Sequence, residues 1–306
     1  MALHISTPLM ESSPLSRAAG CAVWLKLECM QPPGSFKIRG IGAACEHYAR
    51  QGAKRFVSSS GGNAGLAVAY AGRLLGVPVT VVVPATTSQR AIELLQQEGA
   101  ELIVHGASWQ EANAMAQSLL QETDAFLHPF DNPLLWSGHA SMIDEVAATG
   151  NRPDAVLLSV GGGGLMSGVM EGLARNGWGD VPVLAVETQG AASLHAAMQA
   201  GRRVELEAVT SLATSLGARQ VCEQAFALSQ GGKVHSVLVS DRQAVAACSR
   251  FLDDHRLLVE PACGAALAVA YARAPELAAF RSVLLIVCGG ATATADNLRQ
   301  WTAQLA

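Results

Sequence analysis

From Lys54 onward, short runs of β-branched and aliphatic residues alternate with helix-patterned stretches, and this alternation restricts the fold more than any other feature. The first series reads "RFVSSS", a helix from Asn63, "VTVVVP", a helix through Leu94, "ELIVHG" and a helix through Leu120. The second reads "DAVLLSV", a helix from Gly164, "VPVLAVE", helices near Ala192 and Gln220, "VHSVLVS", helices from Asp241 and Pro261, and "SVLLIVC". Strand–helix–strand repeats build parallel sheets, because each crossover helix carries the chain back to the end where the last strand began. Two series in 306 residues predict an α/β protein of two doubly wound, mostly parallel-sheet lobes. The stretch "CAVWLKLE" at 21–28 reads as a further strand that fits either sheet. The segment "DNPLLWSGHASMIDEVAATG", with Asp131 as N-cap and Pro133 in the first turn, is expected to form the helix linking the lobes.

Composition removes several function classes. Half of the residues are hydrophobic and 15% are charged, which suits sheets covered on both faces. A net charge of −4 and 5% aromatic residues supply neither a basic field nor a stacking platform, so no nucleic acid partner is expected. The seven cysteines are odd in number and contain no CxxC, which fits reduced thiols in a cytoplasmic protein. His105, His128, His139 and His195 show no metal spacing and read as structural. The N-terminus lacks an export pattern, and the longest apolar run, "VLLIVC", is far too short to cross a bilayer, so no membrane partner is expected.

In open parallel sheets, ligands bind beyond the carboxyl ends of the strands, where three loops stand out. In "SVGGGGLMSG" four glycines, Gly161, Gly162, Gly163 and Gly164, join a strand to a helix. Backbone N–H groups converging at a helix start make a phosphate cradle. No Gly-Lys-Ser/Thr follows and the spacing is not G-x-G-x-x-G. Glu187 nevertheless ends the next strand about where a dinucleotide fold places its ribose-binding acid, so a dinucleotide stays open at this point. The second loop, "SSSGGNAG", exposes N–H groups and adds the Ser60 hydroxyl and Asn63 amide, which suits a small carboxylate; a plain Ser/Asn helix cap is the alternative. The third, "VCGGAT", puts Cys288 at a strand end, as a small hydrophobe or as a weak partner for a ring.

Four lysines, Lys26, Lys37, Lys54 and Lys233, stand among 21 lysines and arginines. Lys26 alternates as the solvent-facing residue of a strand, Lys54 precedes a strand, and Lys233 follows a Gly-Gly turn. Lys37 has no such explanation, because "QPPGSFKIRG" puts it in the first turn of a helix, where the macrodipole disfavours a cation and promotes the neutral amine. A nucleophilic lysine, a phosphate cradle and a carboxylate site together specify pyridoxal phosphate and an amino acid substrate.

The motifs "KLECMQPPGSFKIRG", "SSSGGNAGLAVAYAGRLLGVPVTVVVP", "SVGGGGLMSGVMEGL", "AVETQGAASLHAA", "TSLATSLGA", "LVEPACGAALAV" and "IVCGGAT" cover nearly the whole chain. They resemble the fold-type II pyridoxal-phosphate enzymes, specifically the short, liver-like L-serine/L-threonine dehydratases. The resemblance implies a tryptophan synthase β-like fold with the cofactor between the lobes. It divides the chain into a large domain (1–40 and 136–306) and a small substrate-closing domain (41–135), and suggests a homodimer. It makes Lys37 the Schiff-base lysine and proton acceptor, with Phe36 packed on the cofactor ring and Asn63 at the ring oxygen. Gly161 to Gly164 then hold the phosphate, Cys288 meets the ring nitrogen, and Ser60, Gly61 and Asn63 hold the substrate carboxylate, with Ser60 counted beside Lys37 among the implied catalytic residues. Glu187 and Ser193, with carbonyls of Ala191, Leu216 and Ala218, are implied as a site for a monovalent cation such as K+. That reading displaces the dinucleotide one, in which Lys37 has no role.

The implied reaction is elimination from L-serine to pyruvate and ammonia, and from L-threonine to 2-oxobutyrate and ammonia. A thiol at the ring nitrogen weakens the electron sink relative to aspartate, which favours fast elimination over transamination. Serine racemase, threonine synthase and a pyridoxal-phosphate-binding protein of low activity are the alternatives. The sequence departs from the pattern at Gly61, where alanine is common, at Ser215, where a small apolar residue packs on the ring, and at "GGAT" in place of Gly-Gly-Ser-Asn. The missing Cβ at Gly61 is expected to enlarge the space beside the substrate.

Overall fold

The structure, a computed structural model, describes residues 2–305. Its strands are β1 (Leu9–Glu11), β2 (Ala22–Lys26), β3 (Arg55–Ser58), β4 (Val79–Val83), β5 (Glu101–Val104), β6 (Asp124–Phe126), β7 (Ala155–Ser159), β8 (Val183–Thr188), β9 (Val234–Val239) and β10 (Ser282–Ile286). Its helices are α1 (Ser13–Ala19), α2 (Lys37–Arg50), α3 (Asn63–Leu75), α4 (Gln89–Gln97), α5 (Trp109–Ser118), α6 (Pro133–Ala148), α7 (Gly164–Arg175), α8 (Ser193–Ala200), α9 (Glu223–Ser229), α10 (Asp241–His255), α11 (Pro261–Tyr271) and α12 (Ala295–Gln304). The larger sheet has the order β1-β2-β10-β7-β8-β9 and is parallel except for the edge pair β1–β2. The smaller sheet, β5-β4-β3-β6, is wholly parallel.

Strands β4, β7 and β8 are buried along their whole length, as unbroken apolar runs covered on both faces should be. The two-lobed α/β expectation therefore holds, and β2 assigns "CAVWLKLE" to the larger sheet. Two local expectations fail. Asn132, not Asp131, caps α6, its side-chain oxygen accepting from the Leu134 N–H at 2.8 Å. Lys26 is not solvent-facing: it is buried, paired with Glu145 and donating to the Thr7 carbonyl at 2.7 Å.

Each lobe has its own core, and two helices reach across. The first turns of α6 bring Leu135 into the smaller core, while Met142, Ile143 and Val146 enter the larger. Helix α2 packs Ile38, Ile41, Ala44 and Cys45 into the smaller core, and the strand-like bridge of Ser35 to Gly289 ties its leader to the larger sheet. Arg39 clamps this junction. Its guanidinium grips Glu28 at 2.7 and 2.8 Å and Glu145 at 2.7 and 2.8 Å, two bidentate pairs on one side chain.

Candidate active site

Neighbouring strands place the site. The glycine loop follows β7 and Cys288 follows the adjacent β10; the Ser60 loop follows β3 and a turn at Pro129 follows the adjacent β6. Carboxyl ends from both sheets thus meet at one junction.

Lys37 is the first residue of α2, and Phe36 before it makes no side-chain cap. Tertiary contacts do that work. The Gly40 N–H donates to His139 Nδ1 at 3.1 Å, and the Phe36 ring meets the His139 ring edge-on at 4.8 Å. Burial holds His139 well below its ordinary pKa, and the neutral ring can accept at Nδ1. The Lys37 Nζ donates to the Pro129 carbonyl at 2.5 Å. Protein crowded around the amine lowers its pKa to about 8, against the opposing influence of Cys288 and Glu260. The direction is the one expected from sequence; the main cause is desolvation rather than the helix dipole.

Helices α3 and α7 both begin on glycine, Gly62 and Gly163, without a side-chain cap, which leaves first-turn N–H groups for a ligand. Gly163 adopts φ +93°, which a side chain rarely adopts. A Cβ on Gly162 would lie 2.3 Å from the Phe130 ring, and one on Gly164 would lie 2.6 Å from the Phe130 carbonyl. Close packing by Phe130 and by Ser215 and Leu216 beside Gly161 therefore leaves this loop no room for side chains. In the α3 loop, the Ser60 hydroxyl accepts from the Gly62 N–H at 3.3 Å. At Gly61 a Cβ would strike the Thr87 side chain at 2.8 Å and Val83 at 3.3 Å. Thr87 fills that direction, so the missing Cβ does not open free space there.

A chain of contacts links the rest. The Phe36 N–H donates to the Cys288 carbonyl at 3.0 Å. Contact with the Cys263 thiol, then burial, holds the Cys288 thiol well above its usual pKa and neutral. Asn63 Nδ2 donates to Glu260 Oε1 at 2.7 Å, and the Ser215 hydroxyl also bonds Glu260. The junction thus gathers Phe36, Lys37, Asn63, Gly161 to Gly164, Ser215 and Cys288. Sequence reasoning missed Glu260, Pro129, Phe130 and the support Arg39, and read His139 as structural, the part it plays beside Gly40 and Phe36. Only Glu260 left a signal, as a charged residue between Val259 and Pro261 in "LVEPACGAA".

Of the implied cation residues, Glu187 lies near the end of β8, Ala191 and Ser193 follow it, and Leu216 packs against Gly161 after β7. Glu187 is buried, its oxygens accepting from the Leu194 and His195 N–H groups at 2.8 and 2.7 Å, and burial raises its pKa to about 7. Ser193 Oγ is buried without a partner, and the Leu216 carbonyl accepts from the Ala218 N–H at 2.8 Å. Among the described residues no group of three or more His, Cys, Asp or Glu side chains is arranged to hold a metal. None of their helices is long and apolar enough to cross a membrane.

The residues present fit pyridoxal phosphate: an enclosed amine of lowered pKa, an uncapped glycine cradle, and a buried Asn63 Oδ1 with no partner. Comparison with known proteins agrees. Residues 2–289 match the family model described as "Pyridoxal-phosphate dependent enzyme". The chain is 48% identical over 314 residues to human L-serine dehydratase/L-threonine deaminase, covering 99% of this chain and 96% of that protein. It is 49% identical over 298 residues to human serine dehydratase-like protein, covering 94% and 90%. A fungal L-serine ammonia-lyase from Rhizomucor miehei superposes with a TM-score of 0.93 at 36% identity, covering 99% of both chains. The chain belongs to the family of pyridoxal-phosphate-dependent enzymes.

Proposed function

We propose that this enzyme converts L-serine to pyruvate and ammonia, losing water from the substrate and taking one water back when the ammonia is released, and acts likewise on L-threonine to give 2-oxobutyrate and ammonia. The observation that carries the reading is the Lys37 amine, held at a carbonyl acceptor with its pKa brought down to about 8, where both strand-end loops converge. The relatives named for serine dehydration support the choice of substrate.

When bound, pyridoxal phosphate supplies an aldehyde for the lysine and an electron sink for the substrate Cα. The chain's own residues do the rest. N–H groups at the start of α7 hold the phosphate, and those of the Ser60–Asn63 loop hold the substrate carboxylate. Lys37 Nζ, partly neutral near pH 8, accepts the Cα proton. Cys288, held neutral, would offer the ring nitrogen a thiol rather than a carboxylate, which would weaken the electron sink and favour loss of the β-hydroxyl.

The unpartnered Ser193 Oγ beside buried Glu187 supports a monovalent cation such as K+ held with the Ala191, Leu216 and Ala218 carbonyls. The Asn63–Glu260 hydrogen bond, from α3 after the smaller sheet to α11 of the larger core, supports a small domain, 41–135, that closes on the large one, 1–40 and 136–306. Free thiols at all seven cysteines support a cytoplasmic location, and the resemblance supports a homodimer.

The test is Lys37→Ala. The wild-type protein is expected to carry a visible absorption band with pyridoxal phosphate and to release pyruvate from L-serine, and the variant to lose both. D-serine formed in place of pyruvate is the result for a racemase, and a coloured protein without product is the result for a binding protein.

A further inference from the structure

Glu260 stands at the junction beside Asn63 and Ser215. It sits at the N-cap position of α11, its carbonyl accepting from the Cys263 and Gly264 N–H groups at 2.9 Å and its own N–H facing the Gly289 carbonyl at 3.4 Å. The backbone therefore fixes the place of the carboxylate, which is buried. A buried carboxylate is costly unless partnered, and this one receives the Asn63 amide at 2.7 Å and the Ser215 hydroxyl. The groups around it are Lys37 from α2, the Cys263 and Cys288 thiols, and the Cys248 thiol, which donates to its carbonyl at 3.3 Å. Lys37 is the cation whose charge acts on it.

The contact also decides how Asn63 is turned. Burial pushes the Glu260 pKa up, while the Ser215 and Asn63 hydrogen bonds and the Lys37 charge favour its ionised form, which only accepts; the amide nitrogen then faces Glu260, and a flipped amide would set oxygen against oxygen. One Nδ2 hydrogen is thereby committed. The other, with the unpartnered Oδ1, is left for whatever occupies the site.

We infer that Glu260 is a positioning residue of this site: its carboxylate orients the Asn63 amide and supplies the counter-charge of the Lys37 nitrogen. The inference rests on Lys37 carrying the cofactor. A fixed negative charge raises the proton affinity of a nearby nitrogen, by one to three pH units at close range.

The experiment is a pH titration of the visible band of the holoenzyme in the wild type, Glu260→Gln, Glu260→Ala and Glu260→Asp, with circular dichroism to follow the fold. The band of the protonated Lys37-bound cofactor is expected to disappear at a pH lower by about one unit, a tenfold loss of proton affinity, in Glu260→Gln, and to return towards the wild-type pH in Glu260→Asp. Should the glutamine variant misfold, Glu260→Ala carries the same expectation. A neutral variant that converts at the wild-type pH, or an aspartate variant shifted as far as the neutral ones, overturns the inference while leaving the cofactor reading intact. A wild-type protein without a band, or a band retained in Lys37→Ala, overturns the cofactor reading instead.

Discussion

At the scale of single residues, the glycine loop shows how a ligand site is made by what is left out. A Cβ on Gly162 would meet Phe130 at 2.3 Å. That ring has little room to retreat, because His128 packs against its edge at 4.7 Å and Trp136 Nε1 donates to the Phe130 carbonyl at 2.9 Å. Gly162→Ala is therefore expected to push the loop out of register, at an overpacking cost of about 1–3 kcal/mol. Titration with pyridoxal phosphate should show cofactor affinity reduced about tenfold or more, with the far-ultraviolet circular dichroism unchanged. The four glycines were legible in the sequence because only a close backbone approach explains them. Phe130 was not, since its contact with them comes from another element. Lys37 was legible as a lysine without an ordinary reason to be there, yet the main cause of its lowered pKa, the crowding around its amine, exists only once the two sheets have met. Lys26 was misread because alternation separates core from solvent only where one face of a sheet is wet.

At the scale of elements, the long ones were readable and the short ones were not. The apolar runs of β4, β7, β8 and β10 announce themselves, whereas β1 and β6, three residues each, carry too little pattern. Helix α2 is the more instructive case, because it begins where the chemistry is and has no local cap. Its first turn is held from outside by His139 on α6 and by the double fork of Arg39. Arg39 and Glu28 are both 0% exposed, so truncating the arginine leaves the Glu28 carboxylate without its cation, held by the Thr7 hydroxyl and the Gln31 amide, and leaves Glu145 paired with Lys26. Arg39→Ala is expected to cost about 3–5 kcal/mol, the range for breaking a buried pair from one side. Urea unfolding should show the midpoint fall accordingly. Arg39→Lys should recover little of it, because an ammonium cannot grip two carboxylates bidentately.

At the scale of the molecule, the two cores are separate but the site is not divisible between them. Phe36, which leads into a helix of the smaller core, bonds to Cys288 beside the larger sheet; Asn63 opens α3 and bonds to Glu260 at α11; Phe130 leaves β6 and covers the start of α7. A cofactor bound there touches groups from both lobes and is lost when either unfolds, so it should stabilise the whole chain by mass action. At a free concentration one hundred times its dissociation constant, the gain is about 2.7 kcal/mol. Scanning calorimetry of the apoprotein with increasing pyridoxal phosphate should show the thermal midpoint rising with concentration, both lobes moving together. In Lys37→Ala the phosphate contacts remain but the bond to the lysine does not, so the same concentrations should give a smaller rise. A midpoint indifferent to the cofactor would mean that the junction, for all its convergence of strand ends, does not hold it.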